Sequence, residues 1–446
     1  MITTPPYMSD STVSTARQHA YDALSRIDQT DAYVDQVSLA GTPRQKRQAR
    51  DLVAGVTRQR RWLWFLITQL YHGNVNAMQP SVARILKMGL YELLFQETPA
   101  RAAVHQYVEL ARTVVGERVT GLVNGVLRTA ERERDALPEP NTGDVERDLA
   151  IRTSMPTWMV RRWVEARGLS DTEALLHRLN ERPQYSVHLI DTDPAELDAL
   201  GVEWTPSPYV AGMVRVEQLQ PLVQAGWLDT GQAVVQGEGA ALVVDLLDPS
   251  PGDTVLDLCA APGTKTRYAA RRMQSQGTLW ANDASAHRME QLTQAVDAPT
   301  ASMLSTHVAD ARTLSPADVP QATHVLLDVP CTGTGVLDRR ADLRWQRTED
   351  DLQDLITLQD ELLDAAARLT PPGAVLVYST CSLLPAENEE RVARFLERYP
   401  TFEVETPTSI PKAVRSTSFM QVEPVAHGTD GAFAARLRRS ATNRAK

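Results

Sequence analysis

The sequence predicts a multidomain protein, with an all-α N-terminal domain over residues 1–140, a small α+β connecting module over 150–232 and an α/β domain over 233–440. Three observations carry this reading. Helical periodicity, uninterrupted by any strand pattern, runs from Ser14 to about Arg134; a turn-rich stretch follows; and from Leu242 onward short β-rich runs alternate with amphipathic helices, the pattern of a doubly wound sheet. A length of 446 residues already points to two or three units, and 43% apolar with 23% charged residues suffices to bury sizeable cores.

The helical segments come first. Ala16–Ile27, Arg44–Leu70, a helix opened by Pro80, Ala102–Val114 and Val119–Ala130 are expected to form a compact bundle. The plainest carries Val82, Ile85, Leu86, Gly89, Leu90, Leu93 and Leu94, which repeat at i, i+3, i+4 and i+7 and so share one apolar face. Pro80 stands at its start, where a missing N–H is harmless, and Pro99 closes it. Leu137 to Asp144 concentrates turn formers without apolar periodicity and reads as a linker. Beyond it, a helix bearing Trp158, Val160, Trp163 and Val164, a second over Thr172–Asn180, and apolar segments at Ser186–Ile190 and Met213–Val216 make the connecting module.

In the α/β domain, strands are expected at Thr254–Leu258, Thr278–Asn282, Thr306–Ala309, His324–Leu327 and Ala374–Ser379. One intervening helix is plain: Leu352, Leu355, Ile356, Leu362, Leu363 and Ala366 share a face, and Pro371, Pro372 and Gly373 end it. Ligands of such sheets bind beyond the carboxyl ends of the strands, so the residues ending each strand matter most.

The net charge of −10 argues against a protein that binds nucleic acid with its whole surface, yet the charge is uneven. Up to Asp135 the chain has 17 Lys and Arg against 13 Asp and Glu, while the remainder has 29 against 43. Arg44, Lys46, Arg47, Arg50, Arg58, Arg60 and Arg61 cluster around one acid, Asp51. Such a run is most often a solvated helix face; the sharper reading makes Arg44, Lys46, Arg47, Arg58, Arg60 and Arg61 contacts to RNA phosphates. The longest apolar run, Trp62 to Leu70, is too short for a membrane span of about 20 residues. No basic start followed by an apolar stretch marks a secretory signal, and three cysteines cannot build a disulfide framework. A monomeric cytoplasmic chain with neither membrane nor metal partner is expected.

Val255 to Thr266 places an acid at a strand end and a small-residue turn before a helix, where helix N–H groups can face a ligand. A phosphate-cradling loop needs two glycines that are here Cys259 and Thr264, and the dinucleotide fingerprint is absent because Gly263 is the only glycine. A nucleoside cofactor without a pyrophosphate remains, and S-adenosylmethionine fits. Asp283 is then suited to both ribose hydroxyls, Asp310 to the adenine amino group, and Asp328 to a place beside the methyl group. One strand-end Asp is usually a helix cap. Four in succession, Asp257, Asp283, Asp310 and Asp328, are harder to dismiss.

Two cysteines follow neighbouring strands, in Asp328-Val-Pro-Cys331-Thr-Gly-Thr-Gly335 and in Tyr378-Ser-Thr-Cys381-Ser-Leu-Leu-Pro-Ala-Glu-Asn388. A lone Cys is commonly a small buried hydrophobe. Two at the ligand-binding edge suggest covalent chemistry, because a thiolate adding to carbon 6 of a pyrimidine turns a poor nucleophile at carbon 5 into an enamine. A thiol with a pKa of about 8.5 is only a few per cent ionised at neutral pH, so the nucleophile needs activation nearby.

Residues 242–390, through these motifs, closely resemble the RNA cytosine-5 methyltransferases. Residues 14–134 resemble a NusB-type RNA-binding domain, with Val123 to Arg128 similar to its closing helix, and together they match the layout of the RsmB/Sun family. The resemblance implies a Rossmann-like catalytic domain, S-adenosylmethionine as cofactor and a cytosine of small-subunit ribosomal RNA as substrate. It implies a cofactor loop at Cys259, Ala260, Ala261, Pro262, Gly263, Thr264 and Lys265, with further contacts at Asp283, Asp310 and Asp328. The family nucleophile falls on Cys381, and the cysteine that assists product release on Cys331; Asp328 completes the catalytic set. Three positions depart from the pattern: Thr264 for a glycine, Asp338 for an arginine and Ala432 for an aromatic residue. A transfer RNA methyltransferase shares the catalytic motifs, a non-catalytic RNA-binding factor would have lost a cysteine, and a DNA enzyme would attack with the Pro-Cys thiol.

Overall fold

The computed structural model describes residues 14–30, 34, 37–406 and 408–441, so the first thirteen residues of the expected helical domain lie outside the described residues. The chain divides into two compact units, Met1–Leu176 with Arg344–Gln346, and His177–Leu343 with Arg347–Lys446. The division falls inside the segment expected as a connecting module.

The first unit is helical: α1 (Thr15–Thr30), α2 (Pro43–Arg58), α3 (Arg60–Leu70), α4 (Pro80–Phe95), α5 (Ala100–Val114), α6 (Thr120–Arg132), α7 (Val145–Arg152) and α8 (Thr157–Arg167). A capping box starts α2, where the Thr42 hydroxyl accepts from Gln45 N and Pro43 occupies the first turn. The single helix expected over Arg44–Leu70 is broken at Gln59, whose φ of −93° and ψ of 13° are not helical. The break lets both halves bury an apolar face in one core, Leu52, Val53 and Val56 from α2 with Leu63, Leu66 and Ile67 from α3. Leu137 to Asp144 does not separate compact bodies, because Ile151 of α7 joins the same core.

In the second unit, a four-stranded antiparallel sheet of order β2-β3-β1-β4 uses β1 (Tyr185–Leu189), β2 (Trp204–Pro206), β3 (Met213–Val216) and β4 (Ala233–Val235). The larger sheet has the order β10-β12-β9-β8-β5-β6-β7, with β11 added on β12. Its strands are β5 (Thr254–Asp257), β6 (Thr278–Asp283), β7 (Leu304–Val308), β8 (His324–Asp328), β9 (Val375–Thr380), β10 (Phe402–Val404), β11 (Met420–Val422) and β12 (Ala432–Arg439). Strands β5 to β9 pair parallel with one another, and β12 pairs antiparallel with β9, β10 and β11. Successive residues bury opposite faces: Val255, Leu279, Leu326 and Val377 enter one core, Leu256, Trp280, Leu327 and Tyr378 the other. With helices over both faces, these strands read as continuous apolar runs. The order reverses between β5 and β8, which sets the ligand crevice at their carboxyl ends.

Candidate active site

Asp257, Asp283 and Asp328 are the last residues of β5, β6 and β8, while Asp310 lies two residues beyond β7. The loop from Cys259 to Lys265 is pinned to the end of β6, with Ala260 N donating to Asn282 O at 2.8 Å and Ala261 N to Asp283 Oδ2 at 3.3 Å. The Arg288 guanidinium donates to Ala261 O and stands 3.4 Å from Asp283. Asn282 ties three strand ends together, its Nδ2 donating to Leu258 O and Ala309 O. Gly263 caps the helix Thr264–Arg272 with φ of +101°, and a Cβ there would stand 2.6 Å from Leu292. One glycine is therefore required, and Thr264 opens the helix without strain.

Asp257 is buried, and burial pushes its carboxyl up to about 7, against a 2.7 Å hydrogen bond from the Thr266 hydroxyl. Its Oδ1, like Oδ1 of Asn282, is buried without a protein partner. Buried acceptors facing a backbone-lined loop suit a ligand rich in donors, so the residues fit S-adenosylmethionine, with its ammonium, ribose hydroxyls and adenine amino group. Asp310, like Asp283 and Asp328, faces a cation: its Oδ1 accepts from Arg312 N and Nε, both at 3.0 Å, and its Oδ2 from Arg312 Nη2 at 2.7 Å and Nε at 3.1 Å.

Lys265 reaches across to Asp328, Nζ to Oδ2 at 2.6 Å, and the Ser379 hydroxyl donates to Asp328 Oδ1 at 2.7 Å. Burial disfavours the ammonium, but the Asp328 carboxylate, followed by the Cys381 and Asp257 charges, more than offsets this and holds Lys265 above its ordinary range. Cys331 and Cys381 meet with their Sγ atoms 3.3 Å apart. Interaction with Cys381, then burial, then the nearby Glu387 charge push the Cys331 thiol well up. Burial likewise pushes up Cys259, the third thiol, which packs against the sheet core.

Gly335 joins the two cysteine loops at the backbone: its N–H donates to Cys381 O and its carbonyl accepts from Gly431 N, both at 2.8 Å. A Cβ at Gly335 would stand 2.5 Å from Gly431 O and 2.8 Å from Cys381 O. Asp338 is turned inward, its Oδ1 accepting from Arg339 N at 2.9 Å and its Oδ2 3.9 Å from Arg178. It is 4% exposed, so this departure does not place a negative charge on the surface. Ala432 fits because it packs where a side chain at Gly239 would stand.

The basic cluster splits in two. Arg44, Lys46, Arg47 and Arg50 are exposed on α2. Arg61 instead donates to Met155 O at 2.6 Å and to the Thr157 hydroxyl at 2.9 Å, while its N–H meets the Ser154 hydroxyl. Its guanidinium fastens α3 to the start of α8, which sets it apart from the exposed members of the cluster: two of its donors are used within the unit. Among the described residues no group of three His, Cys, Asp or Glu could hold a metal, and no helix is long and apolar enough to cross a membrane.

A doubly wound sheet with strand-end acids, a pinned small-residue loop and a crevice for a donor-rich nucleoside defines an S-adenosylmethionine-dependent methyltransferase. Family models match residues 244–438 as 16S rRNA methyltransferase RsmB/F and residues 14–132 as NusB. A Cronobacter sakazakii protein named ribosomal RNA small subunit methyltransferase B is 32% identical, over 88% of this chain and 90% of its own. One of the same name from Pseudomonas putida is 32% identical over 90% and 92%. Among solved structures, PH0851 superposes with a TM-score of 0.76 at 24% identity, over 96% of this chain and 99% of that one. The chain belongs to the RsmB/F methyltransferase family, with a NusB domain at its N-terminal side.

Proposed function

We propose that this chain methylates carbon 5 of a cytosine in small-subunit (16S) ribosomal RNA through a covalent bond between Cys381 and the ring. One observation carries the reading: two thiols 3.3 Å apart follow adjacent parallel strands, beside a Lys265–Asp328 ion pair. The Cys381 sulfur adds to carbon 6, the ring double-bond electrons move into an enamine, and carbon 5 becomes a nucleophile. Held by the loop from Cys259 to Lys265 with Asp257 and Asp283, S-adenosylmethionine supplies an electrophilic methyl group. The carbon 5 proton then passes to a base, the C–H electrons restore the double bond, and Cys381 departs. The names borne by the two bacterial relatives and by the family model favour ribosomal over transfer RNA.

In this reading residues 1–140 dock RNA, residues 233–440 carry the chemistry and residues 150–232 connect them, in a cytoplasmic enzyme. Bisulfite sequencing of ribosomal and transfer RNA, from cells with and without the gene, tests it. One cytosine of 16S RNA should become convertible when the gene is lost, with transfer RNA unchanged; the opposite pattern makes the transfer RNA the substrate.

Docking has its own test. Charge reversal at the exposed Arg44, Lys46 and Arg47 should raise the dissociation constant for RNA and flatten its salt dependence, by about 0.7 to 0.9 in logarithmic slope for each phosphate no longer neutralised. Arg61→Ala should instead lower thermal stability and leave the slope alone, because its guanidinium is engaged inside the helical unit. An unaltered slope in the triple reversal returns the exposed cluster to an ordinary solvated face.

A further inference from the structure

Behind the two cysteines lies a carboxylate that the chemistry above does not use. Glu387 is fully buried, six residues after Cys381, in the turn Pro385–Glu387. Its Oε1 accepts from Thr332 N at 2.9 Å and from Gln359 Nε2 at 3.0 Å. Its Oε2 accepts from the Thr332 and Ser382 hydroxyls, both at 2.5 Å. Thr332 directly follows Cys331 and Ser382 directly follows Cys381, so one carboxylate grips the residue next to each thiol. Gln359 extends the grip with a second bond to Pro330 O at 3.0 Å, on the other side of Cys331. The Tyr378 hydroxyl fixes the Glu387 backbone, donating to its carbonyl at 2.6 Å.

None of these partners carries a positive charge. Leaving a carboxylate in a protein interior with neutral donors alone is costly, and an apolar side chain of similar size would ordinarily serve stability better. The hydroxyls of Thr332 and Ser382 already stand 3.3 Å apart, and Ser382 Oγ accepts from Leu384 N at 3.1 Å, so neither needs the carboxylate to find a partner. What the carboxylate supplies is four convergent acceptor sites, which two separate loops can share.

We infer that Glu387 is a positioning residue for methyl transfer, tying the Cys331 loop to the Cys381 loop so that the two sulfurs are held at their observed separation. The inference rests on the covalent reading above. It assigns Glu387 no contact with substrate or cofactor: it acts through Thr332, Ser382 and Gln359.

The test compares Glu387→Ala, Glu387→Gln and Cys381→Ala with the unaltered full-length protein, on RNA transcribed to include the methylated cytosine. Glutamine keeps the acceptor on one side, and the hydroxyls can turn to accept from its amide on the other, so it preserves most of the tie. Glu387→Ala should lower kcat by about 100-fold, the cost of shifting reacting groups by roughly 1 Å, with KM for RNA and the calorimetric affinity for S-adenosylmethionine within about twofold. Glu387→Gln should recover kcat to within about tenfold of the unaltered protein, a rescue that loss of the tie alone explains. If Glu387→Ala does not fold, Thr332→Val cuts one hydroxyl bond and should lower kcat by about tenfold with the same unchanged affinities. The inference is overturned if folded Glu387→Ala, or Thr332→Val in its place, keeps full kcat. It is equally overturned if Glu387→Gln is as impaired as Glu387→Ala and both lose S-adenosylmethionine affinity, which is the mark of general structural damage. Turnover by Cys381→Ala would remove the covalent reading itself, whereas inactive Cys381→Ala beside fully active Glu387→Ala would remove only the role of Glu387.

Discussion

Cys381→Ala should reduce methyl transfer to RNA below detection, a loss on the order of 10⁵-fold or more, the size seen when a covalent nucleophile is deleted. The sulfur follows β9 directly, where the carboxyl edge of the sheet opens onto the ligand crevice. Alanine leaves carbon 5 of the ring without the electron pair that addition at carbon 6 supplies. Binding should be spared. The S-adenosylmethionine contacts proposed here belong to Asp257, Asp283 and the loop from Cys259 to Lys265, so calorimetric affinity should stay within about twofold, as expected for a change that touches only the transition state. With RNA carrying 5-fluorocytosine, whose carbon 5 has no proton to lose, the unaltered protein should form an adduct that survives a denaturing gel. Cys381→Ala should form none. Turnover by the mutant would remove Cys381 as the nucleophile, and turnover by Cys331→Ala as well would reduce both cysteines to structural residues.

Lys265, paired with Asp328 at the site, was legible in the sequence only as part of a loop. The strand-end acids were equally legible, because β5, β6 and β8 are buried on both faces and read as apolar runs that stop at Asp257, Asp283 and Asp328. How each acid is paired was not. Asp283 and Asp310 look alike in sequence, yet Asp283 is buried against Ala261 N, Ser285 N and Arg288, while Asp310 is only partly buried and meets its own neighbour Arg312.

Three further features escaped the sequence for related reasons. The break at Gln59 is silent because apolar periodicity continues on both sides of it, and only the shared core requires the chain to turn there. Arg61 stands in a basic run whose other members are mostly exposed, but its partners are Met155 and Thr157, more than ninety residues onward. Glu387 is the sharpest example. In Glu387-Asn-Glu-Glu390 three identical side chains fall within four residues, of which Glu387 is fully buried, Glu389 half-buried and Glu390 exposed. Burial of a carboxylate depends on donors gathered from distant loops, here Thr332 and Gln359, and no local periodicity reports that.

Cys331→Ala should fail in the opposite way from Cys381→Ala, by keeping the attack and losing the release. Its Sγ lies 3.3 Å from the nucleophile, close enough to touch a ring bonded to Cys381, and so within reach of the proton that carbon 5 must shed. In the resting protein Cys381, burial and the Glu387 charge hold this thiol protonated; once Cys381 is bonded to carbon 6 the first of these causes is gone, and Cys331 gives its proton to solvent before its thiolate takes the one on carbon 5. By the same sign, its thiolate, once formed, is a stronger base than an ordinary one. Removing it leaves the methylated ring attached to Cys381 with no sulfur beside it to take the proton. Steady-state turnover should fall by about 10³-fold, the middle of the range for loss of an acid–base group, while protein bonded to methylated RNA accumulates. The adduct should appear as a slow band on a denaturing gel without any fluorinated substrate, carrying the label of radioactive S-adenosylmethionine, and should be missing from the Cys331→Ala, Cys381→Ala double mutant. If the band instead appeared in Cys381→Ala and vanished in Cys331→Ala, the attack would belong to Cys331, the thiol that follows Pro330, as in the arrangement expected of a DNA enzyme.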